Sequence, residues 1–541
     1  MSCSRNFLLA CLVFCFQNSI AQAPNIQWAK CFGGSDRDQA FSIIQTAEGS
    51  FVVAGWSNSN DGDVSGNHSF SGIEDMWLIK LDSFGNLINQ KCLGGSVAEG
   101  AHSIKQTYDG GFIIAGYASS DDYDVSGLHC DSMPCWSFGG YEDFWVVKTD
   151  STFDIQWQKC LGGTYLDYAW DCHQTNDSGY VVIGNIESVN GDITGYHGGG
   201  DYWIVKLDIS GNIQWQKALG GSGNEKCYSL VEDIDGGFLI LGGSNSNDYD
   251  VSGNHGGGDY WLVKVDQTGN LQWQRCYGGS NGDGAGYVDM GMNREFLLAG
   301  NSNSTNGDVS GNIGSGDWWI VRIDSIGGII HQKCYGGLSG EGVKSIKSTT
   351  DGGFVAVGET ASNDSLVFGN HGYLDIYINK ADSIGNIEWY KCIGGSGLDF
   401  ASSIIQTSDG GYVLAGYTES DDGDVSGYHG IGCFSCPEDF WVVKLAPLGL
   451  AIPEPLIETI DVTSYLASNG LLSVKFFSKN TEYINISILN ATGEVSAEKE
   501  IHTQGGLNKA EFSTFQLAAG IYFVKLQGEG SFGVQKVFIG K

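Results

Sequence analysis

Proline is scarce in this chain, at 6 of 541 residues, and so are cations: 28 Lys and Arg stand against 63 Asp and Glu, a formal net charge of −35. Phosphate backbones are bound through basic patches, so the shortage of cations excludes nucleic acid as a natural partner. Beyond the first residues no apolar run approaches the ~20 residues of a membrane helix. No nucleophile–base signature, phosphate loop or metalloprotease helix motif appears anywhere. Glycine, by contrast, is abundant at 82 residues, and aromatics are plentiful, with 15 Trp, 24 Tyr and 26 Phe. Many glycine turns between short aromatic runs describe an all-β protein.

The charge is unevenly spread. From Leu456 onward the acids number 8 and the bases 7, so nearly all the excess lies upstream. Such a field suits cations or simply solubility. At the other end, Arg5, the apolar run Phe7–Phe16 and the small residues Ser19-Ile20-Ala21 read as a secretory signal over residues 1–21. Leu8-Leu9-Ala10-Cys11 also permits a lipoprotein reading, which leaves almost no apolar segment before the cysteine.

Internal repetition decides the architecture. Lys-Cys-x-Gly-Gly or a near copy begins at Lys30, Lys91, Lys159, Lys217, Arg275, Lys333 and Lys391, at intervals of 61, 68, 58, 58, 58 and 58 residues. Each unit reads as four strands: a (Ser-Ile-Ile-Gln-Thr type), b (Tyr-Val-Leu-Ala-Gly), c (Phe-Trp-Val-Val-Lys) and d (Ile-Gln-Trp-Gln-Lys-Cys). No interval leaves room for an ordinary helix. Seven such units over residues 22–445 predict a seven-bladed β-propeller, which protects sheet edges by radial repetition. The chain opens on a d strand, Ile26–Cys31, and stops repeating on a c strand, Phe440–Leu445, so the last blade is expected to take its outer strand from the N-terminal end. The architecture resembles WD-repeat and kelch-type propellers, although the signatures of neither are present.

Residues 446–455 hold Pro447, Pro453 and Pro455 and read as a linker. Residues 456–541 read as a small β-sandwich, with Ile486–Val495, Leu517–Leu526 and Gln535–Ile539 as its motifs. In that order these motifs resemble the C-terminal sorting domain (type A-like) of the type IX secretion system of Bacteroidetes. The resemblance covers the last sixth of the chain. It implies recognition by the type IX machinery, passage through the outer membrane, and removal of this domain with release or surface attachment. The repeats also look like those of secreted propeller proteins of that group, which share no single activity.

Three acidic sets recur in the repeats. One lies in the d–a turn: Asp38, Glu99, Asp167, Glu225, Asp283, Glu341 and Asp399. A second starts strand c: Asp75, Asp143, Asp201, Asp259, Asp317, Asp375 and Asp439. The third lies in the Gly-Asp-Val-Ser-Gly b–c loop: Asp63, Asp124, Asp192, Asp250, Asp308 and Asp424, with Leu366 breaking the series. In an up-and-down blade the d–a and b–c loops share a face, so the sets are expected to converge. Calcium takes several carboxylate and carbonyl oxygens, which makes the first and third sets candidate Ca²⁺ ligands; the other reading is that they cap turns and strand ends. His68, His129, His197, His255, His371 and His429 follow the b–c loop and are expected to bond a nearby Asp. Trp77, Trp145, Trp203, Trp261, Trp319 and Trp441 are expected in the packing between blades.

Three cysteines fall within the signal, and six others share one d-strand position, where diverging strands put them beyond disulfide reach. Cys130 with Cys135, and Cys433 with Cys436, sit in b–c insertions of blades two and seven and are candidate local disulfides. These insertions, residues 130–141 and 431–438, flank blade one, so Trp136, Phe434 and His68 are candidate ligand contacts. The clear departures from sevenfold repetition are these insertions and Leu366, which suits a non-enzymatic binding scaffold for glycan, protein or mineral. A polysaccharide-acting hydrolase or lyase with its site on the acidic face is the alternative.

Overall fold

The computed structural model describes residues 21–539 apart from 70–71, 131–140, 314–315, 365–366, 431–436, 449–457, 460–461, 467–470, 479–482, 491–494, 504–505 and 528–530. The signal assigned to residues 1–21 lies almost wholly outside them. The chain divides into two units, residues 1–448 and 449–541.

The first unit is seven four-stranded antiparallel sheets, each in the order a-b-c-d. Blade 1 comprises Asp38–Gln45, Phe51–Ser57, Asp75–Leu81 and Leu87–Leu93. Blade 7 has three C-terminal strands and one from the beginning of the chain. Its outer strand, Ile26–Phe32, pairs antiparallel with Asp439–Leu445, with Ala29 opposite Val443 and Cys31 opposite Trp441. The ring is thus closed by the strand expected to close it. The innermost strands touch in ring order, including that of blade 7 against that of blade 1.

Burial explains the strand compositions. Strand c of blade 2, Asp143–Thr149, is buried at every position because both its faces meet neighbouring sheets. A strand covered on both faces reads as continuously apolar, whereas strand d at the rim, Ile155–Leu161, buries fully only its last residues. The c-strand tryptophans lie between blades: Trp77 packs 4.5 Å from Phe440, and Trp203 4.9 Å from Phe144. Burying such a side chain contributes on the order of 2–3 kcal/mol.

Each strand a carries a bulge: in blade 1 the register shifts between Ala40 and Ser42 against strand b. The extra residue leaves two consecutive side chains on the axial side. It also explains the glycine in every strand b. A Cβ on Gly55 would stand 1.9 Å from the Gln39 carbonyl oxygen, and one on Gly116 1.8 Å from that of Gly100.

The second unit has a five-stranded sheet, in the order Glu458–Thr459, Ser531–Ile539, Gly520–Gln527, Tyr483–Asn490 and Val495–His502, and a three-stranded sheet of Val462–Leu466, Leu471–Ser478 and Gly506–Ser513. Leu472, Val474, Ile486, Phe512, Val524 and Leu526 meet in its core, as in a β-sandwich.

Candidate functional site

The d–a carboxylates are buried and occupied by protein donors. Asp283 accepts from the Gly279 N–H at 2.7 Å, the Ser304 hydroxyl at 2.8 Å and the Ser302 hydroxyl. Asp38 and Asp399 make the same set with Gly34, Ser57 and Ser59, and with Gly395, Thr418 and Ser420. Glu341 accepts from the Gly337 N–H and the Thr360 hydroxyl, and Glu225 from the Gly221 N–H and the Ser244 hydroxyl. Where Ala118 or Ile186 removes the hydroxyl, Glu99 and Asp167 turn to backbone N–H groups of Ser119 and Ser120, and of Glu187 and Ser188. Each clamp ties the d–a turn to the end of strand b. Burial raises Asp38 to about 7, Glu99 to about 8 and Asp167 to about 6.

The strand-c aspartates hold the histidines. Both the N–H and Nδ1 of His129 lie on one oxygen of Asp143, at 2.9 and 2.7 Å, and His68, His197, His255, His371 and His429 repeat the arrangement. In blade 5 the N–H of Ile313 takes this place on Asp317. The hydrogen bond to Asp143 holds His129 above its usual range. The other oxygen of Asp75, Asp143, Asp201, Asp259, Asp375 and Asp439 is buried without a partner among the described residues. It faces the first glycine of the following turn, as does the next clamp: Asp75 and Glu99 both approach Gly94. Two buried carboxyls so placed favour holding a proton between them.

The b–c aspartates are partly exposed. Their N–H groups bond the d–a turn, as from Asp63 to Gly33, Asp124 to Gly94, Asp192 to Gly162, Asp250 to Gly220, Asp308 to Gly278 and Asp424 to Gly394. Three of their carboxylates stand near the preceding blade's histidine, 3.9 Å for Asp63 and His429 across the ring closure, and 3.8 Å for Asp192 and His129 and for Asp250 and His197. Among the described residues no three His, Cys, Asp or Glu side chains are grouped to hold a metal. The repeated acids are hydrogen-bonded within their own blades and to the turns that join one blade to the next.

Cys130 is disulfide-bonded. Its partner lies outside the described residues, as do Cys135, Trp136, Cys433, Phe434 and Cys436. The d-strand cysteines are free, and burial pushes their thiols up, to about 12 in Cys276. His68 packs 5.2 Å from Tyr123, a residue 72% exposed with φ of 51°, where Gly62 occupies the same loop position in blade 1.

The repetition breaks on the axis, which corrects the expectation that only insertions and Leu366 depart from it. A cavity of about 480 Å³ is lined by the strands a of all seven blades. At the bulge residue the blades carry, in order, Phe41, His102, Trp170, Tyr228, Gly286, Lys344 and Ser402. Sequence reasoning passed over them because they lie between the aligned apolar positions; the cue available was that this one column differs in every unit.

The first four form an aromatic arc. His102 stacks on Trp170 at 4.1 Å with planes 8° apart, Phe41 meets His102 edge-on at 5.6 Å, and Tyr228 meets Trp170 at 5.3 Å. His102 Nδ1 donates to the Ala169 carbonyl at 2.8 Å, and burial lowers this histidine to about 4, so it is neutral. The opposite wall, with Gly284, Gly286 and Ser402, is open: a Cβ on Gly284 would meet nothing within 4 Å. Charges on the wall are paired, Lys105 with Asp171 at 3.4 Å, Lys347 with Asp289 at 2.9 Å and Lys344 with Glu359 at 3.3 Å.

Beside the arc lies a second group the sequence reading missed. Tyr117, whose ring is 5.5 Å from His102, donates to Glu74 at 3.2 Å. Burial, and then the charge of Glu74, raises Glu142 to about 7, and one Glu142 oxygen is buried without a partner among the described residues.

With this geometry established, residues 468–540 match the secretion system C-terminal sorting domain family. The chain is a seven-bladed propeller protein with a type IX sorting domain at its C-terminus. It is exported to the cell surface or the medium, and among the described residues no helix is long and apolar enough to cross a membrane. No curated protein matches the chain. Solved structures similar to it include Sqt1 from Chaetomium thermophilum (12% identity, TM-score 0.38, covering 79% of this chain and 100% of that one). The Neurospora crassa Pan2 WD40 domain is 8% identical (TM-score 0.41, covering 76% and 89%), and Synechocystis apocarotenoid oxygenase 12% (TM-score 0.36, covering 92% and 98%).

Proposed function

We propose that the propeller is a non-enzymatic binding scaffold presented outside the cell, for a glycan or protein ligand. One observation carries this reading: the polar residues repeated in every blade are spent on hydrogen bonds within the blades and to the turns between them, whereas the axial column differs in each. A side chain present in all blades serves the blade; a column unlike in all seven serves something with no sevenfold symmetry. The charged groups on the cavity wall are already paired, which suits recognition rather than proton transfer. Screening the purified protein on a glycan array, with and without Ca²⁺, tests it. Retention of a defined set of glycans is the expected result, and a blank array with turnover of a polysaccharide would reject it.

Glu142 favours a second reading, a polysaccharide-acting hydrolase or lyase. A carboxyl held protonated near neutrality beside a second carboxylate is what a general acid requires. Reducing-end or unsaturated-product release that disappears in Glu142→Gln would support it; silence of the wild-type protein on polysaccharide substrates would reject it.

A further inference from the structure

We infer that the axial cavity binds a neutral saccharide of one or two rings, seated against the Trp170–Tyr228 side of the aromatic arc in the space left by Gly286. This rests on the binding reading and names the ligand class and place.

The space results from a departure from the fold's own rule. Four blades place an aromatic ring at the strand-a bulge, so the backbone there accepts one. Gly286 occupies the same position with an ordinary, non-left-handed backbone, and a Cβ on it would meet only the Ala299 carbonyl oxygen, at 3.6 Å. Neither backbone strain nor a close neighbour requires glycine. Glycine inside a strand is destabilising relative to alanine and often marks where another molecule approaches the backbone. The resulting volume, about 480 Å³, falls within the range of small-ligand sites.

The wall selects the chemistry. Its lysines each face a carboxylate, so it presents no uncompensated charge to attract an ion. The aromatic arc offers apolar, electron-rich surface, suited to the C–H faces of a sugar ring. The hydroxyls of Tyr228, Ser402 and Ser403 line the cavity and make no hydrogen bond among the described residues. The indole N–H of Trp170 is buried and equally lacks an acceptor there. Unspent hydrogen-bonding groups beside apolar rings match a ligand that is flat, neutral and rich in hydroxyls.

The test is isothermal titration of the full chain with glucose, N-acetylglucosamine, cellobiose, maltose and chitobiose, repeated on Gly286→Phe and on Ser402→Phe as a second plug. At least one saccharide is expected to bind. Gly286→Phe should weaken it more than ~10-fold while circular dichroism and thermal melting stay those of the wild type. Should Gly286→Phe fail to fold, Ser402→Phe carries the same expectation. Undiminished binding in a folded plugged variant would overturn the axial site and leave the binding reading standing. Absence of binding by all five sugars would overturn the ligand class, while the array result decides the binding reading separately.

Discussion

Ring closure has a missing part that one substitution supplies. In blades 1 to 5 the strand-c tryptophan donates its indole N–H to a strand-d glutamine: Trp77 to Gln90 at 2.9 Å, Trp145 to Gln158 at 3.0 Å, Trp203 to Gln216 at 2.7 Å, Trp261 to Gln274 at 2.8 Å and Trp319 to Gln332 at 2.7 Å. In four of these blades the glutamine amide also reaches a serine hydroxyl of the b–c loop, at 2.6 Å in blades 1, 2 and 4 and from Gln332 to Ser310 in blade 5, and in blade 3 Gln216 reaches the Thr194 hydroxyl. Blade 7 has Ala29 at that position of its strand d, and Trp441 Nε1 is buried without an acceptor among the described residues. Ala29→Gln should supply the acceptor and reach Ser426 in the same way. An unsatisfied buried donor costs about 1–3 kcal/mol, and ordering a glutamine side chain costs up to about 2 kcal/mol. The net gain is therefore about 1 kcal/mol, a roughly five-fold change in an equilibrium or rate constant. The closing strand joins two distant parts of the chain, so the gain should appear as slower unfolding, followed by tryptophan fluorescence in guanidinium chloride. Gln216→Ala in blade 3 is the reciprocal control and should lose stability. If Ala29→Gln unfolds as fast as the wild type or faster while Gln216→Ala is destabilised, the reasoning about closure is wrong.

The clamps predict a large loss for Asp283→Ala, which strands a backbone N–H and two hydroxyls; at about 1–3 kcal/mol each, and not fully additive, the cost is about 3–5 kcal/mol by denaturant titration. EDTA should leave the wild-type melting temperature unchanged, and a drop would instead reveal a structural cation. Stability should fall between pH 6.5 and 8.5: Asp38 and Glu99, raised to about 7 and 8, hold protons in the folded state that the unfolded chain has released, so their stabilisation is complete below about pH 4 and lost as pH rises through those values. The lowered His102 and His173 act in the opposite direction only below about pH 6.5, whereas across the higher window the raised Glu142 and His129 act in the same direction as Asp38 and Glu99, so a rising melting temperature there would contradict the burial of these groups. Mass spectrometry of cell surface and culture medium should find the exported propeller without residues 456–541; an intact C-terminus would contradict removal of the sorting domain.

Much of this fold was legible because it is encoded locally and repeated. A Phe-Trp-Val-Val-Lys run buried on both faces, an Asp-Gly-Gly turn and a d-strand Lys-Cys-x-Gly-Gly carry their structure in adjacent residues, and seven copies make each visible against the others. Even closure could be read, since a chain that begins on strand d and ends its repeats on strand c has complementary ends. The sorting domain was readable for a similar reason, its motifs lying in fixed order within one short segment.

The roles of the acids were less legible. Whether Asp283 met a cation or the hydroxyls of Ser302 and Ser304 depended on which groups folding placed within 3 Å, and clamp and ligand have the same spacing along the chain. The axial site was least legible of all. Phe41, His102, Trp170, Tyr228, Gly286, Lys344 and Ser402 are separated by 58 to 68 residues, and their meaning lies in one another's company around the axis. A glycine at position 286 reads in the sequence as one turn-forming residue among 82; only closure of the ring, which brings it onto one axial cavity with Trp170 and Tyr228, turns its missing side chain into space for a ligand.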